Sequence, residues 1–265
     1  MRLCSIASGS SGNCIYVGND HTHLLVDVGI SGKRVREGVE SLDLSMADLD
    51  GILITHEHSD HIQGLGVLAR KYSIPIYSTK GTVEAICKDS KIGKVDHDLF
   101  QIIRPDERFR IKDLDVTPFR IAHDAADPVA YRFRSEKKSV AVCTDLGHYD
   151  AYTIENLKDL DVVLLESNHD VRMLETGPYP YPLKKRILGD RGHLSNETAG
   201  RLLCDILHDH VKAVVLGHLS KMNNLPELAY EAVRMQVDMS DCKYTSHDFP
   251  LIVAKRDVPS EAIEI

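Results

Sequence analysis

Three short apolar or alternating runs, residues 3–7, 14–17 and 24–28, open the chain, parted by Ser8-Gly9-Ser10-Ser11-Gly12-Asn13 and Gly18-Asn19-Asp20. Gly, Ser, Asn and Asp favour turns for steric and hydrogen-bonding reasons, so this pattern predicts a β meander. Beyond Asp27-Val28-Gly29 the period changes. A helix is predicted from near Ser31 to about Leu42, and residues 51–55 read as a fully buried strand. From a start near Asp60, Ile62, Leu65, Leu68 and Ala69 recur at helical spacing. The same order then returns. Residues 114–119, 129–133 and 139–143 predict strands, 151–160 a helix and 162–165 a strand, while 199–207 and 226–235 predict helices flanking a strand at 211–216. Sheet runs with helices attached, twice over, imply an α/β chain folded as a four-layer αββα sandwich, with 1–265 as a single domain.

Composition narrows the setting. Apolar residues make up 43% and charged residues 27%, without a biased tract, which excludes a disordered or fibrous chain. Lys+Arg 32 against Asp+Glu 40 leaves −8, so any polyanion must be held by a local cationic patch or by metal ions rather than by a basic coat. No apolar run approaches membrane-spanning length and no apolar stretch follows Met1-Arg2-Leu3-Cys4, so a cytoplasmic protein with no membrane partner is expected. Six cysteines without a C-x-x-C pair point to mostly reduced, buried thiols. Fourteen histidines point to transition-metal chemistry.

Those histidines converge on one string. The strand at 51–55 runs into His56-Glu57-His58-Ser59-Asp60-His61, an H-x-H-x-D-H pattern. Alternation along an extended loop sends His56 and His58 the same way and Glu57 another, while Asp60 and His61 follow at the start of the next helix. Two neighbouring ligand sets result.

This string after a buried strand, preceded by Asp27-x-Gly29, resembles the metallo-β-lactamase superfamily nearly end to end. The resemblance implies three further metal ligands: His123 after Thr117-Pro118-Phe119-Arg120-Ile121-Ala122, Asp145 within Thr144-Asp145-Leu146-Gly147, and His218 after Ala213-Val214-Val215-Leu216-Gly217. It places His56, His58 and His123 on one divalent metal and Asp60, His61 and His218 on another. Asp145 and a water bridge the two, and Asp27 supports the metal loop through hydrogen bonds. Nitrogen and carboxylate donors suit zinc, manganese or iron. An aspartate at 145 and the all-histidine H-x-H favour hydrolysis over redox chemistry.

Later segments sharpen the likeness. Leu164-Leu165-Glu166-Ser167-Asn168-His169-Asp170, Gly192-His193-Leu194-Ser195-Asn196, Leu216-Gly217-His218-Leu219-Ser220 and the opening Ala7-Ser8-Gly9-Ser10-Ser11-Gly12-Asn13-Cys14 resemble the YycJ/WalJ family of bacterial cytoplasmic metallohydrolases. They resemble tRNase Z and the cyclic phosphodiesterase PhnP more loosely. The implied activity is phosphodiester cleavage, as a 5′ to 3′ exonuclease acting on DNA rather than RNA. The implied catalytic set is Asp60 with His193, which would bind the scissile phosphate or protonate the departing oxygen, and Glu166, which would orient His193. His169 is a candidate for substrate or metal contact. Residues 177–192 carry Pro178, Pro180 and Pro182, then Lys184, Lys185, Arg186 and Arg191, and read as a cationic loop for substrate phosphates. The Gly9–Gly12 segment reads as a turn between strands in preference to a phosphate cradle. Alternatives are a small-molecule or cyclic phosphodiesterase, a tRNase Z-like ribonuclease, and a non-catalytic regulator that keeps its metals to shape a protein-binding surface.

Overall fold

In the computed structural model, which describes residues 1–265, the meander runs as β1 (Arg2–Ala7), β2 (Cys14–Gly18) and β3 (His23–Val26), all antiparallel. Parallel strands β4 (Gly51–Leu53), β5 (Ile76–Thr79) and β6 (Phe100–Ile103) extend that sheet. They are joined through α1 (Gly32–Glu40), α2 (Ser59–Ile62), α3 (Leu65–Tyr72) and α4 (Lys80–Lys88). The second sheet repeats the plan. Antiparallel β7 (Phe109–Ile111), β8 (Leu114–Arg120), β9 (Val129–Ser135) and β10 (Lys138–Cys143) lead into parallel β11 (Val162–Glu166), β12 (Ala213–Gly217) and β13 (Leu251–Val253). Its helices are α5 (Ala151–Leu157), α6 (Val171–Thr176), α7 (Tyr181–Ile187), α8 (Asn196–Ile206) and α9 (Pro226–Met239). Finally β14 (Ile263–Glu264) returns to the first sheet beside β1.

Side-chain alternation builds the layers. Leu24 and Val26 point between the sheets with Val116, Phe133, Val142 and Leu164, whereas Leu25 and Ile52 face outward onto Val35, Val39, Leu65 and Leu68. Across the second sheet, Val163, Leu165, Val214 and Leu216 face outward onto Leu202, Leu203, Val233 and Val237. Period two along each strand thus feeds an inter-sheet core and two sheet–helix cores, each fully buried aliphatic side chain contributing about 1.5–3 kcal/mol. The expected four-layer αββα sandwich is the fold found. No helix is long and apolar enough to cross a membrane.

Local signals located most boundaries. Ser31 caps α1, its side chain accepting from the Arg34 amide at 3.4 Å. The single helix expected from Asp60 is instead two, α2 and α3, parted at Gly64. There the chain passes so close to its neighbours that a Cβ would sit 2.4 Å from the Ile30 carbonyl oxygen. Residues 177–192 are not a loop throughout, because α7 lies within them. Pro180 is its N-cap and Pro182 falls in the first turn, where the missing N–H is no loss, so prolines that read as loop signals mark a helix start. Elements that the hydrophobic pattern did not single out are α4, α6 and the short strands β5, β6, β7, β13 and β14. Only Cys4, Cys14 and Cys143 are buried; Cys204 and Cys242 are half-buried and Cys87 is exposed, with all six free, so fewer are buried than expected.

Candidate metal centre

Parallel strands bring their carboxyl ends to one edge, and the chemistry gathers there. Asp27 follows β3, Thr55 and His56 follow β4, His123 follows β8, Asp145 follows β10, Glu166 ends β11 and His218 follows β12. Register explains the proximity: Cys143 pairs with Leu165, Leu165 with Leu216, and Glu166 with Gly217, so three acid and imidazole groups leave neighbouring strands at one level. Asp27, Asp145 and His218 all take left-handed backbone angles, with φ of 60°, 61° and 55°. Such conformations cost about 1–3 kcal/mol each and persist where surrounding structure imposes them. Gly29 of the Asp27-x-Gly29 pair has a separate task. A Cβ there would lie 1.6 Å from the Asp60 carbonyl oxygen, so only glycine lets this loop press on the His56–His61 string.

Three imidazoles meet on one side. His56 Nε2 and His123 Nε2 lie 3.1 Å and 3.2 Å from His58 Nδ1. Glu57 points elsewhere, its carboxylate accepting from the Ala126 amide at 2.8 Å. On the other side His218 Nε2 is 3.3 Å and His61 Nε2 3.6 Å from Asp60 Oδ2. Asp145 sits between the groups, with Oδ2 3.2 Å from His61 Nε2 and Oδ1 3.5 Å and 3.7 Å from the Nε2 atoms of His218 and His123. All seven expected ligands therefore converge, in the groups His56/His58/His123 and Asp60/His61/His218, with Asp145 also grouped with His56 and His61.

Outer partners fix which nitrogen faces inward. His61 Nδ1 donates to Asp27 Oδ2 at 2.7 Å, His218 Nδ1 to Glu166 Oε1 at 2.7 Å, and His123 Nδ1 to the Gly192 carbonyl at 3.1 Å. His56 Nδ1 meets Thr55 Oγ1 at 3.0 Å, and that hydroxyl donates to Asp27 Oδ2 at 2.8 Å. Each ring held in this way turns its Nε2 lone pair to the centre, the arrangement that ligating histidines need. Converging lone pairs repel unless a cation or proton lies among them. Asp145 Oδ2, fully buried, has no well-aligned hydrogen-bond donor, its close neighbour being His61 Nε2 at 3.2 Å. An orphaned buried carboxylate oxygen facing inward-turned imidazoles fits a divalent cation.

The electrostatics agree. Burial pushes the His56 and His123 pKa values down, aided by neighbouring imidazoles. Burial opposes charge on His61 and His218 too, yet Asp145 and the other carboxylates around them win and raise both, His218 to about 10. Glu166 is buried, which disfavours its charge, but His193 and His218 hold it down at about 2. The carboxylates that raise His61 and His218 make the same space favourable for a cation.

Glu166 is the hub of the second half. Its Oε2 accepts from the Leu146 and Leu194 amides at 2.8 Å and 3.0 Å, and its Oε1 accepts from His193 Nδ1 at 2.9 Å as well as from His218. His193 stands two residues before Ser195, the N-cap of α8, as expected. His169 joins none of the ligand groups. It is buried, and burial pulls its pKa down to about 4. Of the expected cationic residues, Lys184 Nζ donates back to the Glu175 carbonyl at 2.7 Å, and Lys185 and Arg191 are exposed. Arg186 alone is tied to the centre, through a two-point ion pair with Asp124 beside His123. The Gly9–Gly12 segment is a turn: the amides of Gly9, Ser10 and Gly12 are all taken by protein acceptors.

Residues 22–219 match the family described as the Beta-lactamase superfamily domain. The chain is also 42% identical over 233 residues to the exodeoxyribonuclease YycJ of Bacillus anthracis, covering 88% of each protein. The chain belongs to the beta-lactamase superfamily, in its YycJ/WalJ family. A second relative, the exodeoxyribonuclease WalJ of Streptococcus pneumoniae serotype 2, is 42% identical over 236 residues, covering 89% of this chain and 88% of its own. Among solved structures, zinc-bound PqqB from Methylobacterium extorquens superposes with a TM-score of 0.74 at 16% identity, covering 100% of both chains, a likeness of fold.

In this YycJ/WalJ-family chain, several supporting residues escaped the reading of the sequence. Asn13 Nδ2 lies 3.2 Å from His61 Nε2, Ser8 Oγ accepts from the His218 amide at 2.8 Å, and Asn168 Nδ2 donates to the His218 carbonyl at 2.9 Å. Their signal was adjacency: Ser8 and Asn13 border the glycine-serine turn, Thr55 precedes His56, and Asn168 precedes His169.

Proposed function

We propose that this chain is a dinuclear metal-dependent phosphodiester hydrolase that digests DNA from the 5′ end and releases 5′ nucleotides. One observation carries the reading: inward-turned imidazoles surround an orphaned buried carboxylate oxygen, in a chain 42% identical to a named exodeoxyribonuclease over most of both lengths. His56, His58 and His123 would hold one divalent ion, and Asp60, His61 and His218 the other, with Asp145 between them. Zinc, manganese and iron all suit these donors. When bound, such ions acidify a shared water and offset charge on phosphoryl oxygens.

The protein's own groups do the rest. Asp27 and Glu166 hold His61 and His218 in the ligating tautomer. Glu166 also occupies Nδ1 of His193, so Nε2 is the atom that faces substrate, where it would give a proton to the departing 3′ oxygen as the P–O3′ bond breaks and the water oxygen bonds to phosphorus. Arg186, kept beside the centre by Asp124, would add positive charge to the strand path. Residues 1–265 act as one domain in this reading, since the inter-sheet core draws on both halves.

The test is digestion of 5′-labelled single-stranded and duplex DNA by protein of verified metal content. Release of 5′ mononucleotides is the expected result. If neither DNA nor a model diester is cut by fully loaded protein, the reading fails.

A further inference from the structure

Next to the metal centre, and sharing His193 with it, lies a cavity of about 360 Å³ between the loops that follow β10, β11 and α7, the start of α6 and the first half of α8. Its size is at the lower end of the ~300–1,000 Å³ usual for small-molecule sites, enough for one nucleoside. Two of its walls carry polar atoms without partners. His169 is 1% exposed, and neither of its ring nitrogens makes a hydrogen bond. Glu197 Oε2 is likewise buried and unpaired. Buried polar atoms are almost always satisfied, so groups left open around one cavity point to a hydrogen-bonding occupant.

The chemistry of the walls selects that occupant. A phosphate is disfavoured, because Ser195 Oγ already caps α8 by accepting from the Thr198 amide at 3.2 Å, and because the Glu197 carboxylate faces the same space. Glu197 can accept, the two His169 nitrogens offer one donor and one acceptor in the neutral ring, and Arg201 can donate. Arg201 is held in place by the Thr198 hydroxyl, which accepts from its Nη2 at 3.0 Å. Val171, Leu188 and Leu194 supply apolar wall between these groups. Donors, acceptors and apolar surface around one cavity of this volume match an uncharged heterocycle.

We propose that this cavity receives the 5′-terminal nucleoside of the DNA, with Glu197, Thr198, Arg201 and His169 reading its base. The inference rests on the exonuclease reading and deepens it. The shared His193 sets the order of events: the oxygen it protonates is the 3′ oxygen of the terminal nucleoside, so that nucleoside must lie on the His193 side of the phosphorus. A cavity for one nucleoside then gives one nucleotide per cut, and it requires the terminal base to leave its stack and its pair.

The test uses the full-length, metal-loaded protein and two single-stranded oligonucleotides that differ only at the 5′-terminal residue, thymidine in one and an abasic tetrahydrofuran residue in the other. The wild type is expected to cut the abasic terminus with kcat/KM lower by about tenfold or more, and Thr198→Trp, which fills the cavity, to narrow that ratio to about twofold. Arg201→Ala is expected to narrow it as well and serves if Thr198→Trp does not fold. Equal cutting of both termini by the wild type, or wild-type discrimination kept in the folded variants, overturns the cavity assignment alone. Failure of the wild type to cut either oligonucleotide overturns the exonuclease reading together with this inference.

Discussion

The two halves of the molecule reach the centre by different routes. The first half contributes one short string, His56 to His61, and braces it with Asp27, Thr55 and the close approach at Gly29. The second contributes His123, Asp145, Glu166, His193 and His218 from five separate strand ends or loops; Glu166 ties His193, His218 and the Leu146 amide next to Asp145 together, while His123 is held by the Gly192 carbonyl. A contiguous motif can be positioned by local backbone alone. Dispersed groups need a hub, because each loop would otherwise pay its ordering entropy independently.

That contrast can be broken most forcefully by removing metal or ligands. Chelation is expected to abolish DNA cleavage and to lower the melting temperature, since both halves lose the charge that joins them. Retained cleavage in protein shown to be metal-free would break the account. His58→Ala and Asp145→Ala should each reduce kcat by about 10³-fold or more, one from each half, with circular dichroism close to wild type. If only one of them were severe, the halves would not act as a joint centre.

Smaller effects separate the braces. Glu166→Gln leaves four donors facing a group that accepts less and donates itself, so metal affinity should fall about 10–100-fold, with loss of stability visible in a thermal melt. Asp27→Asn should fall at the gentler end of the same ~10–100-fold range, because Thr55 still contacts His56 and His61. Equal losses in titrated metal binding would remove the distinction between hub and local brace. Smallest is Arg186→Ala, expected to raise KM for DNA about threefold to tenfold, with the difference shrinking at high salt, since the side chain is 49% exposed.

The same contrast explains what could be read beforehand. The sandwich was legible because its strands are short apolar runs bounded by turn residues, as 24–28 is after Gly18-Asn19-Asp20, and because helix caps such as Ser31 are local. The His56–His61 string was legible because its ligands are adjacent. His123, Asp145 and His218 carry no distinguishing neighbours, and family likeness rather than spacing located them. The α7 helix was misread because proline has the same appearance before a helix as in a loop. Edge strands such as β7 and β13 are three residues each, too short for a period to show. Asn13, Ser8 and Asn168 act through tertiary contacts with residues 48, 210 and 50 positions away, beyond the reach of any local pattern.

The central claim, that both halves close on a pair of ions, is tested most directly by anomalous diffraction from crystals grown with manganese or zinc. Two peaks are predicted, one among His56, His58 and His123 and one among Asp60, His61 and His218, both touching Asp145. A single peak, or none in crystals whose protein is verified to bind metal in solution, would contradict it.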